Sequence, residues 1–182
     1  MKTDYLNLVR ERIRSTPVGE PLPPWKLAGG SSIGGLTEVG FGEDSDLLLV
    51  VSSQGRGVFN CITGERVARD REEPNDGWYD NTRLVALGIG PLKEQVIRLS
   101  GLHGGGLPIH TADGWSVQAI TMPWPVEHLL LEEPFKTIYD DKASVAKLAV
   151  VLGTRAFGFS PTGRSLIWAI SSDLAIYTRE SN

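Results

Sequence analysis

The stretch from Leu36 to Asp70, LTEVGFGEDSDLLLVVSSQGRGVFNCITGERVARD, constrains the fold more than any other part of the chain. Val39 and Phe41 alternate with glycines, Gly42-Glu43-Asp44-Ser45-Asp46 carries turn chemistry, and Leu47 to Val51 is a short apolar run. Gly55 and Gly57 flank Arg56, Val58-Phe59 resumes, and Thr63-Gly64 turns the chain again ahead of Val67. Glycine and Asx residues accept turn dihedrals, and short apolar runs fit a pleated, half-buried surface. Alternating the two in this way predicts a β-meander.

The outline recurs twice. From Arg83 to Met122, Leu84, Ala86 and Gly88 lead to a Gly90-Pro91 turn, then Val96, Ile97 and Leu99. The glycine loop Gly101 to Gly106 follows, and Thr111-Ala112-Asp113-Gly114 turns the chain into Trp115, Val117 and Ala119. The third block, Phe157 to Tyr177, is the closer echo. Gly158-Phe159 answers Gly40-Phe41, Leu166-Ile167-Trp168 answers Leu47-Leu48-Leu49, and Ile176-Tyr177 answers Val58-Phe59. Repeats of about 40 residues predict stacked or radial β-units.

Phe159-Ser160-Pro161-Thr162-Gly163-Arg164-Ser165-Leu166-Ile167 resembles the FSPDG-x-x-LL corner of β-propeller blades of the WD40 and related kinds. Leu36 to Arg66 is similar to a whole blade, with Thr63-Gly64-Glu65 at the turn. The Gly-His and Trp-Asp pairs of true WD40 repeats are absent, and three blocks fall short of the roughly four to eight blades of a propeller. The resemblance therefore implies a mainly β fold of antiparallel, blade-like β-meanders. In size and style the chain is similar to small bacterial immunity proteins of toxin systems, which implies a protein-binding role.

Asp4 to Arg14 carries Tyr5, Leu8, Val9 and Arg12, with Leu6 and Ile13, at helical spacing, and Thr3 or Asp4 caps it. This predicts an N-terminal helix within residues 1–16 that packs on the body. Pro17, Pro21, Pro23, Pro24 and the pairs Gly29-Gly30 and Gly34-Gly35 mark 17–35 as a linker that docks on the domain and is able to supply a final strand. Residues 36–182 are then one β-rich domain. Val126 to Leu131 reads as a strand or a helical turn, and Asp140 to Leu148 as a short helix or the start of the third block.

The net charge of −4 and the lack of a basic stripe argue against nucleic acid and favour a neutral or basic partner. No apolar run approaches the roughly 20 residues of a membrane span, and the mixed charges of the N-terminal helix argue against a lipid surface. A single cysteine, Cys61, excludes an internal disulfide. With no leader-like apolar stretch behind Met1, the expectation is a cytoplasmic protein.

Candidate chemistry is sparse. His103-Gly104-Gly105-Gly106 is similar to the oxyanion loop of lipase-like esterases, and Gly30-Ser31-Ser32-Ile33-Gly34 formally fits the G-x-S-x-G nucleophile pattern around Ser32. The glycine loop follows the serine, the reverse of the family's order, and no strand–turn–helix context surrounds Ser32. His103, His110 and His128 lack zinc-site spacing, and no cofactor or metal is expected. Acidic pairs next to turn-borne aromatics suit an interface better. The expected contacts are Glu72, Glu73, Asp76, Trp78, Tyr79, Trp115 and Trp124, and the expected function is non-catalytic binding of another protein, such as a basic toxin domain. A structural subunit docked through Tyr5 to Ile13 and an esterase using Ser32 and His103 are the alternatives.

Overall fold

The structure is a computed structural model that describes residues 2–74 and 77–180. It is mainly β, with one N-terminal helix, α1 (Lys2–Ser15). The strands are β1 (Lys26–Ser32), β2 (Leu36–Phe41), β3 (Leu47–Ser52), β4 (Gly55–Asn60), β5 (Glu65–Asp70), β6 (Tyr79–Asp80), β7 (Val85–Leu87), β8 (Val96–Arg98), β9 (Ser100–Gly101), β10 (Ser116–Thr121), β11 (Val126–Glu132), β12 (Val145–Leu152), β13 (Ala156–Phe159), β14 (Ser165–Ala169) and β15 (Asp173–Thr178).

Every sheet is antiparallel. Sheet I has the order β5-β4-β3-β2-β9, sheet II β6-β7-β8, sheet III β10-β11-β12 and sheet IV β1-β15-β14-β13. Sheet I is the predicted meander of Leu36 to Asp70. The block from Arg83 to Met122 does not form a sheet of its own. β7 and β8 join β6, β9 adds to the edge of β2, and β10 begins sheet III. Val126 to Leu131 is strand, and β12 begins in the second half of Asp140 to Leu148, the stretch read as a short helix or the start of the third block.

Packing follows strand alternation. On β3, Leu48 and Val50 face Ile167 and Ile176 of sheet IV, while Leu49 and Val51 face Trp78, Ala86 and Ile97 on the sheet II side. On sheet IV, Ile167 and Ala169 take the first of these layers, and Leu166 and Phe159 pack against Leu129 and Leu131 of sheet III. Leu130 points the other way, to Val9 and Ile13 of α1. The stacking order is therefore II–I–IV–III–α1. This is why Leu47 to Val51 reads as an unbroken apolar run: a strand covered on both faces has no polar side to alternate with.

The helix is fastened by backbone capture as well as by its apolar stripe. Arg12 donates to the carbonyl oxygens of Ile138, Asp140 and Ala143, and the Tyr5 hydroxyl donates to that of Tyr139. No helix of the described residues is long and apolar enough to cross a membrane.

The stretch composed as a linker divides in two. Its proline half is irregular, and its glycine half is β1, which pairs along β15 from Lys26↔Thr178 to Ser32↔Asp173. β1 also touches sheet I. A Cβ at Gly29 would lie 3.1 Å from the Gly64 backbone, and Gly64 itself, at φ +76°, lies against the Ala28 carbonyl. A side chain at either position would drive the two turns apart.

Candidate functional site

One group of side chains stands out by its chemistry. β2 carries a bulge between Leu36 and Glu38, so that Val39 faces the core shared with sheet IV, while Glu38 shares the opposite face with Gly40. Glu38 is fully buried. Its Oε1 accepts a hydrogen bond from Nδ1–H of His103, a ring whose side chain is 40% exposed. A carboxylate only accepts, so this contact places the ring proton of neutral His103 on Nδ1 and leaves the lone pair on Nε2. The Tyr79 hydroxyl lies 3.1 Å from the same Nδ1. Burial, and then the charge and hydrogen bond of Glu38, push the Tyr79 pKa upward, so the phenol stays neutral.

The cluster continues through aromatic contacts. The Tyr79 and Trp78 rings lie 5.9 Å apart, and the Arg56 guanidinium sits 4.4 Å over the Trp78 ring. Arg56 is buried between glycines. It donates through Nε and Nη2 to Asp70 Oδ2 at 3.1 and 2.9 Å and through Nη1 to the Leu87 carbonyl at 2.7 Å, and it lies 3.6 Å from Glu72 Oε2. The Glu72 backbone amide, against the opposing pull of burial, and then Arg56 hold the Asp70 carboxyl below its ordinary pKa. The result is a continuous line Glu72–Arg56–Trp78–Tyr79–His103–Glu38 that draws on β2, β4, β6 and the loops around them. Among the described residues, two buried polar atoms along it, Glu38 Oε2 and Trp78 Nε1, find no hydrogen-bond partner. Buried polar atoms left unpaired are uncommon in folded proteins.

The structure thus gathers three of the sequence-selected residues, Glu72, Trp78 and Tyr79. Trp78 lies inside as a support, only 4% exposed, while Glu72 is outermost. Glu73 is exposed beside Glu72, and Asp76 lies outside the described residues. The remaining two tryptophans are elsewhere and differ from each other. Trp115 is buried in the layer between sheets III and IV, with its ring edge-on to Trp25 at 6.0 Å, because β10 turns it inward after Gly114. Trp124 is 84% exposed on the turn between β10 and β11.

Sequence reasoning missed Glu38 and Arg56, and read His103 as part of a glycine loop, as an esterase partner of Ser32 and as a histidine without zinc-site spacing. A signal existed for the first two: a charge within an otherwise apolar strand, and an arginine held between two strand glycines. The esterase pair is not brought together. Ser32 on β1 donates to Asp173 of β15 at 3.2 Å, while His103 is held by Glu38 on β2. Among the described residues no group of three or more His, Cys, Asp or Glu side chains is arranged to hold a metal. His128 donates Nε2–H to the Met122 carbonyl at 2.6 Å, and His110 lies on a backbone bridge to Ser116. No protein-family model, curated sequence or solved structure matches this chain.

Proposed function

We propose that this chain is a non-catalytic protein-binding module, and more specifically an immunity-type protein that neutralises a cognate toxin by direct binding. The observation that carries the reading is the line Glu72–Arg56–Trp78–Tyr79–His103–Glu38, in which buried partners hold the half-buried Tyr79 and the exposed His103 and Glu72 in one geometry. Contact residues ordered before a partner arrives lose less entropy on binding, and Tyr, Trp and Arg are the residues that dominate interface energetics. Glu72, followed in the chain by the exposed Glu73, gives this face an acidic edge suited to a basic partner, and Trp124 offers a second, exposed anchor. In this reading sheets I to IV are blade-like meanders that serve as scaffold, with the contacts carried on their loops.

The test is capture with the tagged full chain from the native organism, followed by mass spectrometry and a rescue assay. A single basic protein retained at near-equal amounts, whose toxicity is relieved by co-expression, supports the proposal. Tyr79→Ala should then weaken capture about 30-fold, the loss of a hot-spot residue of about 2 kcal/mol. Capture that survives Tyr79→Ala and His103→Ala unchanged would remove this face from the interface. A role as a subunit of a larger assembly is favoured by one feature: α1 keeps Leu6 and Leu8 exposed after spending Val9 and Ile13 on sheet III. Retention of several subunits, lost on Leu8→Ser, would select it.

A further inference from the structure

Sheet I carries a second feature that the protein-binding reading does not use. A groove of about 230 Å³ runs along β4 and β5 toward the end of β1, and Arg66, Arg69 and Arg71 line it together with Ser32 and Gln54. The local sequence builds it. The bulge between Val58 and Phe59 sets Arg66 opposite Phe59 and Arg69 opposite Gly57, so both arginines reach the same side of the sheet. Gly57 leaves the floor open between them: a Cβ there would lie 3.6 Å from Arg66 Cδ and 3.9 Å from Arg69 Cδ, in ordinary contact with both stems.

Among the described residues nothing neutralises the three guanidiniums. Among the described residues Arg66 and Arg71 make no ion pair, and Arg69 donates one N–H to the Gln54 carbonyl at 2.9 Å. Two carboxylates near the groove are engaged elsewhere. Asp70 accepts from Arg56 and from the Glu72 amide, and Asp173 accepts from Ser32 and Ser172. Three exposed arginines lining one groove with no carboxylate partner among the described residues are unexpected in a chain of net charge −4, and an anionic ligand would offset their mutual repulsion. The planar, multi-donor guanidinium matches tetrahedral oxyanions and binds them through paired hydrogen bonds.

We propose that this groove is an oxyanion site for a phosphate group, either free or as the monoester of a small polar molecule. Its volume equals that of about eight waters in the liquid, room for a phosphate and a few further heavy atoms. The phosphate sits across Arg66 and Arg69 above Gly57, Arg71 closes one side, and Ser32 and Gln54 are polar neighbours for the organic part.

Calorimetric titration of the full chain at low salt with inorganic phosphate and with ribose 5-phosphate tests this. The expected result is saturable one-to-one binding with a Kd of about 1 mM or tighter, weakened by added sodium chloride. Tighter binding of the ester assigns the site to a phosphorylated metabolite, and equal binding assigns it to free phosphate. The double variant Arg66→Gln/Arg69→Gln should raise Kd at least about tenfold. The double variant Arg10→Gln/Arg83→Gln, which removes the same charge from α1 and from the exposed β6–β7 turn, should leave it unchanged. An equal loss in both pairs, or no binding by either ligand up to about 10 mM, overturns the proposal.

Discussion

Arg164, in the turn before β14, forks onto Oδ2 of Asp46, in the turn before β3, with Nε at 3.2 Å and Nη2 at 3.0 Å. Oδ1 of the same carboxylate accepts from the hydroxyls of Ser160, Thr162 and Ser165, each at 2.7 Å. The two turns that look alike in sequence are thus tied to each other, and sheets I and IV are pinned at one end by a single carboxylate. Burial alone would raise the Asp46 pKa, but hydrogen bonds from Ser165, Ser160, Thr162 and Arg164 together outweigh it and hold the carboxyl below the ordinary value. A depressed folded-state pKa contributes stability that is fully present above the unfolded value of about 4 and is lost as pH falls through the folded one. Asp46→Asn should cost roughly 3 kcal/mol at pH 7, with the gap to the parent protein narrowing below about pH 4. Urea unfolding across that range checks both the cost and its sign, and a gap that widens toward acid would contradict the assignment.

Removing His103 should destabilise the fold although the ring is partly exposed, because it leaves the buried Glu38 carboxylate without the N–H that it accepts. His103→Ala should cost about 2 kcal/mol, and adding Glu38→Gln to it should recover most of that loss, since a neutral amide is far cheaper to leave buried. The double-mutant cycle from denaturant melts measures the coupling. A coupling near zero would mean that the pair does not hold the site together.

Cys61 should be unreactive in the native protein. It is fully buried, and burial first, then the negative charge of Asp46, push its thiol pKa well above the ordinary value. Labelling by an alkylating reagent should therefore track opening of the core, and its rate should rise with urea as stability falls. Rapid labelling without denaturant would show that the layer between sheets I and IV opens locally.

Gly40→Ala should be among the most damaging single substitutions. A Cβ at that position would collide with the Arg98 carbonyl of β8 and come within 2.7 Å of Ile97 Cγ2, where sheet II meets β2. The expected loss is about 3 kcal/mol or more, because backbone rather than a flexible side chain blocks the methyl group. Gly57→Ala, which finds only ordinary contacts, should cost less than about 1 kcal/mol, and thermal melts of the two variants provide the comparison.

The elements legible in the sequence were those whose signal is local. The meander of sheet I, the helix α1 and the Thr63-Gly64 turn rest on residues adjacent in the chain. What sequence reading missed was set by distant partners. Residues 83–122 share one turn-and-strand rhythm, yet their strands go to three sheets, since nothing local specifies which edge β9 or β10 joins. Val145 to Leu152 carries helix-compatible residues, but covering by Leu129 and Leu131 makes a strand of it. At the candidate site Trp78 and Tyr79 were readable as aromatics beside an acidic loop. Glu38 and His103 lie 65 residues apart, and only the fold makes them neighbours.

The pairing of β1 with β15 bears on how the chain is born. A ribosome releases Ser32 long before its partner, for Asp173 follows 141 residues later. Throughout that interval the Lys26–Ser32 segment must wait beside sheet I without its hydrogen-bonding neighbour. Its composition suits the wait: two glycines and two serines make a poor template for stray strands, and a lysine stands at its start. Sheet IV is then completed only when β15 emerges, so the strand made first in that sheet is paired only after the other strands of the fold have been made.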